Sequence, residues 1–234
     1  MRLVRGVIFD VDGTLIALRA SIGELYAEAL RPHGYDVSAC ELERAALQEW
    51  EAFENEYLNV ADGYATQPSR EVLVWCEFVR RVLQRAAPDL STRWDLIGEV
   101  YNFFSRGSSR RAIDGALDVC KALSAQGIRV VAATNNDQRT VTVLSEMGFA
   151  RFLSDIVTAG DVGWKKPSPK FFQGISERIQ LPVAELLHVG NNHHFDVVAA
   201  RDTGMQSVLF DPHAKGSPPR IRALGELLNL IKSQ

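Results

Sequence analysis

Cysteine is scarce. The chain has 234 residues and three cysteines, Cys40, Cys76 and Cys120, widely spaced and with no C-x-x-C pair. An odd number without close pairs argues against a disulfide framework and points to reduced thiols in a cytoplasmic protein. Each reads as a small core residue rather than a nucleophile. Long apolar runs are missing as well, so no membrane span and no membrane partner are expected. The one apolar run near the start is interrupted by Asp10 and Asp12, which excludes a signal peptide reading. Basic residues are not in excess: 26 Lys and Arg against 29 Asp and Glu leave a net charge of −3. That balance argues against a dedicated nucleic-acid binder and favours a small-molecule partner. Repeats and low-complexity tracts are absent. What remains, 46% hydrophobic and 24% charged residues, is an ordinary globular composition, long enough for one large domain or a domain with a substantial insertion.

The most informative segment is FDVDGTL, residues 9–15, which follows the apolar run Val4 to Phe9. Two carboxylates, Asp10 and Asp12, leave the end of an expected buried strand, and a Gly13-Thr14 turn follows. Acidic side chains are seldom buried without partners, and like charges this close repel. A divalent cation or a shared proton would relieve the repulsion. An EF-hand loop does not fit. Counted from Asp10, the sixth and twelfth positions are Leu15 and Ser21; counted from Ile8, Gly13 falls correctly but the twelfth residue is Arg19. An Asp-Gly hairpin turn accounts for Asp12-Gly13 and leaves Asp10 unexplained.

The second half alternates short β-like runs with helical stretches. Strands are expected at 127–134, 156–158, 186–189 and 206–210. Helices are expected at Ala116 to Ala125, Asp137 to Met147, Asp196 to Asp202 and Arg220 to Lys232, with another starting at the Ser168 cap and Pro169. Gly127, Gly148 and Gly204 suit helix ends. This alternation predicts an α/β fold, a Rossmann-like parallel sheet between two helical layers, with ligands beyond the carboxyl ends of the strands. Asp10, Asp12, Thr134, Asn135, Asn191 and Asp196 cluster at those ends. Residues 17–111 show no clear strand and read as an inserted all-helical cap, with SRGSSRR, 105–111, as the returning linker. The expected organisation is therefore a core of 1–16 and 112–234 and a cap of 17–111.

With Asp10-x-Asp12-Gly13-Thr14 at a strand end, the chain resembles the haloacid dehalogenase-like hydrolase superfamily, and most of all its phosphatases with a helical cap after the first motif. The resemblance covers essentially the whole chain and rests on four short motifs in order. From the first motif it implies that Asp10 is the nucleophile and Asp12 the general acid/base, with the Asp12 backbone carbonyl on a magnesium ion. A carboxylate can attack phosphorus to form an aspartyl-phosphate, and a second carboxyl can protonate the leaving oxygen and then activate water. The second motif is filled by Thr134-Asn135, whose hydroxyl and neighbouring amides suit phosphate oxygens. Thr-Asn is also a common helix start. The third is Lys166 of GWKKPSPKFF, directly before Pro167, while its neighbour Lys165 is expected to face solvent. A lysine there would offset the charge of Asp10 and the phosphoryl group, although a Lys-Lys-Pro loop is also an ordinary solvated surface.

The fourth motif departs from the family pattern. Where many relatives carry Gly-Asp and a later Asp, this chain reads HVGNNHHFDVVAA, so Asn191 replaces the first acid and Asp196 keeps the second. The implied metal donors are Asp10, Asp12, Asn191 and Asp196. An amide oxygen can ligate magnesium but brings no negative charge. His193 and His194 beside Asp196 pose a transition-metal site, for which no third strong ligand is evident. In the cap, Trp50, Glu54, Tyr57, Arg70 and Trp75 are possible substrate contacts, and Arg106, Arg110 and Arg111 could attract an anion. The implied activity is a magnesium-dependent phosphatase acting on a small phosphorylated metabolite, as a monomer or homodimer. Alternatives are a phosphomutase, a 2-haloacid dehalogenase using the same Asp10, and a non-catalytic phospho-ligand sensor. Dehalogenase relatives generally lack the acid at the Asp12 position and need no metal.

Overall fold

The structure, a computed structural model, describes residues 3–58, 64–213 and 220–232. Its strands are β1 (Gly6–Phe9), β2 (Ile16–Leu18), β3 (Arg110–Ala112), β4 (Arg129–Thr134), β5 (Asp155–Thr158), β6 (Leu186–Gly190), β7 (Gln206–Phe210) and β8 (Arg220–Ile221). Its helices are α1 (Ile22–Leu30), α2 (Ala39–Leu58), α3 (Pro68–Ala86), α4 (Trp94–Phe103), α5 (Ala116–Ala125), α6 (Arg139–Glu146), α7 (Ala159–Val162), α8 (Pro169–Ile179), α9 (Ala199–Asp202) and α10 (Glu226–Lys232).

Six strands form one parallel sheet in the order β5-β4-β1-β6-β7-β8. β1 is buried at every position and pairs on both sides, which is why its sequence is a continuous apolar run rather than an alternating one. Period-two geometry divides the sheet residues between two cores. Val7, Phe9, Val130, Ala132, Leu187 and Val189 pack on one face against Val119 and Leu123 of α5 and Leu227 and Ile231 of α10. Ile8, Val131, Ala133 and Val157 pack on the other against Phe171, Phe172 and Ile175 of α8. The result is the expected three-layer Rossmann-like core. After β1 the chain adds β4 and β5 on one side, then β6, β7 and β8 on the other, so a crevice opens where β1 ends between β4 and β6.

The inserted helices α1 to α4 carry a core of their own, running from Leu25 to Phe104. Ser21 caps α1, and Glu24 completes a capping box. Phe53 of α2 and Phe78 of α3 meet with ring centroids 5.0 Å apart, joined by Trp50 and Trp75. This helical cap sits on a two-stranded ribbon, where β2 pairs antiparallel with β3, Ile16 opposite Ala112. The sequence reading saw no strand in 17–111. Three-residue strands are too short to show a period of two, and Arg110-Arg111-Ala112 carries no apolar run.

Two other boundaries differ from expectation. The helix expected at Asp196 begins as a π-helical turn, His193–Val198, capped by the Asn192 side chain, and becomes α9 only at Ala199. A wide turn has no 3.6-residue signature to read. The helix expected from Arg220 starts at Glu226, because Arg220 and Ile221 pair with β7 at the sheet edge.

Ile97 lies fully buried in the cap core, whereas Leu73 on α3 is 70% exposed. Ile97→Ala is expected to lower the stability of the protein by about 2–5 kcal/mol in urea unfolding. Leu73→Ala is expected to change it by no more than about 0.5 kcal/mol. Equal effects would show that the buried face of α4 is not the one described.

Candidate active site

β1 delivers Asp10 to the crevice still tied to the sheet, its amide donating to the Val189 carbonyl at 2.8 Å. The chain then turns sharply. The Gly13 amide donates to the Ile16 carbonyl, and the Leu15 amide to the Val11 carbonyl, both at 2.8 Å. Gly13 has φ +83°, and a Cβ there would come 2.2 Å from Asn191 Nδ2. Glycine is needed on both counts: for the left-handed backbone and for the close seating of Asn191 on the turn.

Asp10 is 8% exposed. Its Oδ1 accepts from Lys166 Nζ at 2.6 Å, and its Oδ2 from Thr14 Oγ1 at 3.0 Å. The same ammonium donates to Asp196 Oδ1 at 2.8 Å. Lys166 is held by its own backbone: Asn135 accepts from its amide at 2.7 Å and donates to its carbonyl at 2.9 Å. The Asn135 side chain is thus spent on positioning Lys166. Asp196 descends from the π-helical turn into space that Gly190 leaves open, since a Cβ on Gly190 would lie 2.2 Å from its Cγ. Asp196 also meets His188 Nε2 at 2.9 Å and accepts the Asn192 amide at 3.0 Å. Both its oxygens are therefore engaged.

These contacts set the ionisation of the cluster. Burial is the largest influence on Asp10 and, with the charges of Asp196 and Asp12, pushes its pKa up to about 7 against the pull of Lys166. Burial also opposes the charge of Lys166, but the two carboxylates outweigh it and hold the ammonium protonated. Asp196 is likewise buried, and Lys166 and the His188 hydrogen bond keep its carboxyl well below the usual range. Burial lowers the pKa of His188, so its neutral ring donates through Nε2 to the Asp196 carboxylate.

Asp12 sits at the mouth with its side chain 41% exposed and Arg110 Nε 3.7 Å from Oδ1. Asn136 Nδ2 donates to its Oδ2 at 2.6 Å. Thr134, at the end of β4, is buried, and its Oγ1 accepts the Asn136 amide at 3.0 Å. Asn191 has an exposed position. Asp10, Asp12, Thr134, Asn135, Lys166, Asn191 and Asp196 thus line one cavity. Thr14, His188, Asn136 and Asn192 were missed as site residues. Thr14 belongs to the first motif, but His188 lies inside an apolar strand run with nothing to set it apart.

Other expectations fare differently. Lys165, expected at the surface, is fully buried. Its amide donates to the Tyr64 carbonyl at 2.9 Å, drawing the residue into the fold. His193 and His194 are exposed, and among the described residues no three His, Cys, Asp or Glu side chains form a metal cluster. Trp50 and Trp75 line the cavity. Arg70 instead donates to the Ala65 carbonyl. The side chains of Glu54 and Tyr57 lie outside the described residues. Arg110 faces the cavity over the Phe104 ring, whereas Arg106 lies over Phe103 and Arg111 is exposed.

Asp10, Asp12, Asn191 and Asp196, the donors expected for magnesium, carry hard oxygens and line one cavity, although its three aspartates are not drawn together as a ready metal cluster. The buried carboxylates outnumber the one ammonium between them, and the raised pKa of Asp10 reflects its burial first and the neighbouring negative charge second. Asp196 already accepts three hydrogen bonds, which leaves one position on Oδ2 for a further contact.

A family profile described as haloacid dehalogenase-like hydrolase matches residues 4–204. The human haloacid dehalogenase-like hydrolase domain-containing protein 3 is 28% identical over 235 residues, covering 97% of this chain and 92% of that protein. Among solved structures, the HAD-hydrolase YfnB from Bacillus subtilis, bound to magnesium, superposes with a TM-score of 0.75 at 22% identity, covering 99% of this chain and 100% of its own. The defluorinating L-2-haloacid dehalogenase Rha0230 has a TM-score of 0.78 at 16% identity, covering 98% and 95%. The chain belongs to the haloacid dehalogenase-like hydrolase family.

Proposed function

We propose that this hydrolase is a phosphatase that cleaves the phosphate monoester of a small metabolite through an aspartyl-phosphate on Asp10. The observation that carries the reading is Asp12: a second, partly exposed carboxyl at the mouth of the cavity, beside a buried Asp10 already held by Lys166 and Thr14. Attack by an Asp10 oxygen forms a bond to phosphorus and breaks the bond to the ester oxygen, which takes its proton from Asp12. Asp12, now ionised, removes a proton from water. The water oxygen attacks phosphorus, phosphate leaves and the Asp10 carboxylate returns. Lys166 balances the charge that gathers on the phosphoryl oxygens, and the Thr134 hydroxyl supplies a hydrogen bond to them. Asp10, the Asp12 carbonyl and Asn191, with Asp196 behind them, would hold magnesium, which when bound neutralises phosphoryl charge and keeps Asp10 ionised.

Asp10→Asn is expected to lower the hydrolysis rate of 4-nitrophenyl phosphate by about a thousandfold or more, with folding unchanged by circular dichroism. Asp12→Asn is expected to slow it by about 10²–10⁴. Turnover that survives the Asp10 change would reject the nucleophile. A dehalogenase is the second reading, because the same buried Asp10, held by Lys166, could attack carbon instead of phosphorus. It predicts metal-independent halide release from 2-chloropropionate, and no halide release disposes of it.

A neutral amide at position 191 makes magnesium binding weak. Asn191→Asp is expected to lower the magnesium concentration for half-maximal activity by about tenfold. Half-saturation of the natural protein below about one micromolar would contradict this account of the donor set.

A further inference from the structure

The cavity of about 720 Å³ has two unlike walls. The core wall holds the aspartates, Lys166 and the asparagines. The facing cap wall is built from Leu47, Trp50, Phe53, Trp75 and Phe78. The four rings form one connected cluster: Trp50 stacks on Trp75 with centroids 6.2 Å apart and meets Phe78 edge-on at 5.8 Å, while Phe53 lies 5.3 Å from Trp75. Polar side chains at the edge of this wall are committed within the cap. Ser21 caps α1, and Glu43 accepts the Gly23 amide at 2.6 Å. Leu47 and Trp50 remain 61% and 43% exposed, so apolar surface is left uncovered at the entrance to a site whose floor is charged.

We propose that the group carried by the substrate's phosphate is apolar and aromatic. The phosphate lies at Asp10, and an aryl or arylalkyl group lies against Leu47, Trp50 and Trp75, with the buried Phe53 and Phe78 behind them. The assignment rests on the phosphatase reading for the fate of the ester, but the binding preference stands apart from it. A hydroxyl-rich leaving group would set its hydroxyls against ring faces and strip them of water without return. An aromatic ring instead gains contact area and edge-to-face partners. Covering Leu47 and Trp50 also removes exposed apolar surface at the entrance.

The test compares two phosphonates that cannot be hydrolysed, naphthylmethylphosphonate and dihydroxybutylphosphonate. Their binding to the natural protein is measured by calorimetry with magnesium present, and inorganic phosphate serves as reference. The naphthyl compound is expected to bind at least about tenfold tighter than the diol. Trp50→Ala is expected to bring that ratio close to one. Should that variant fail to fold, Leu47→Ser, on a more exposed position of the same helix, is expected to reduce the ratio in the same direction. Equal affinities, a preference for the diol, or no binding of the naphthyl compound overturns the inference. Because neither probe turns over, these outcomes do not depend on hydrolysis. Conversely, Asp10-dependent hydrolysis of aryl and polyol phosphates at equal kcat/KM overturns the aromatic preference and leaves the phosphatase reading standing.

Discussion

The active site depends on one ammonium group shared by two buried carboxylates. Lys166 Nζ lies 2.6 Å from Asp10 and 2.8 Å from Asp196, and its side chain is 4% exposed. Three charges are taken out of water together, and the arrangement is tolerable only while all are present, since breaking a buried ion pair typically costs about 3–5 kcal/mol. Much of the nearby structure serves this triad. Asn135 clamps the lysine backbone, Gly190 makes room for Asp196, His188 and the Asn192 amide add two hydrogen bonds to it, and Thr14 holds the far oxygen of Asp10. The three strands that meet at the switch point bring these pieces together: β1 carries Asp10, β4 leads to Asn135, and β6 leads through Gly190 to the turn bearing Asp196.

The triad is asymmetric, and the asymmetry separates the roles of its two acids. Asp196 takes the lysine, an imidazole and an amide, and so is held ionised as a fixed part of the scaffold. Asp10 takes the same lysine and one hydroxyl, faces the cavity, and has its pKa pushed up to about 7 by burial first and by neighbouring negative charge second. A carboxylate that is short of positive charge at the floor of an open cavity is suited to attack an electrophile. It also attracts a cation. Asn191, set on Gly13 beside the Asp12 loop, brings an amide oxygen to the cavity without adding to the repulsion among the acids.

Much of this was legible in the sequence because polar groups at strand ends interrupt an otherwise apolar pattern. Asp10 breaks the run Val7-Ile8-Phe9, and Thr134 and Asn191 follow similar runs. Lys166 was readable from its place before Pro167, although its neighbour Lys165 was assigned to the wrong environment: charge alone suggested solvent, and the contact of its backbone with Tyr64 is a tertiary fact. His188 was hidden for the opposite reason. Buried within Leu186-Leu187-His188-Val189, it looks like any strand residue, and its function exists only because Asp196 returns to it across a turn. The ribbon of β2 and β3 and the π-helical turn escaped notice because each is too short or too irregular to leave a period in the sequence.

The cap was legible as helices but not as a surface. Trp50 and Trp75 were singled out one by one, without the knowledge that α2 and α3 pair them with Phe53 and Phe78. What joins that wall to the charged floor is a second polar network at the seam. Tyr101 of α4 donates to Asp137 at 2.8 Å, and Arg139 at the start of α6 reaches both Asp137 Oδ1 at 2.9 Å and the Tyr101 carbonyl at 3.2 Å. The Arg139 guanidinium also lies 3.9 Å from the Tyr101 ring centroid and 5.6 Å from that of Trp75. One side chain therefore touches the core, the cap and the aromatic wall, and Asp137 follows Thr134, Asn135 and Asn136 in the same loop. The loop that positions Lys166 is thus tied to the helices that shape the apolar wall. A displacement of the cap would therefore disturb both walls of the cavity together.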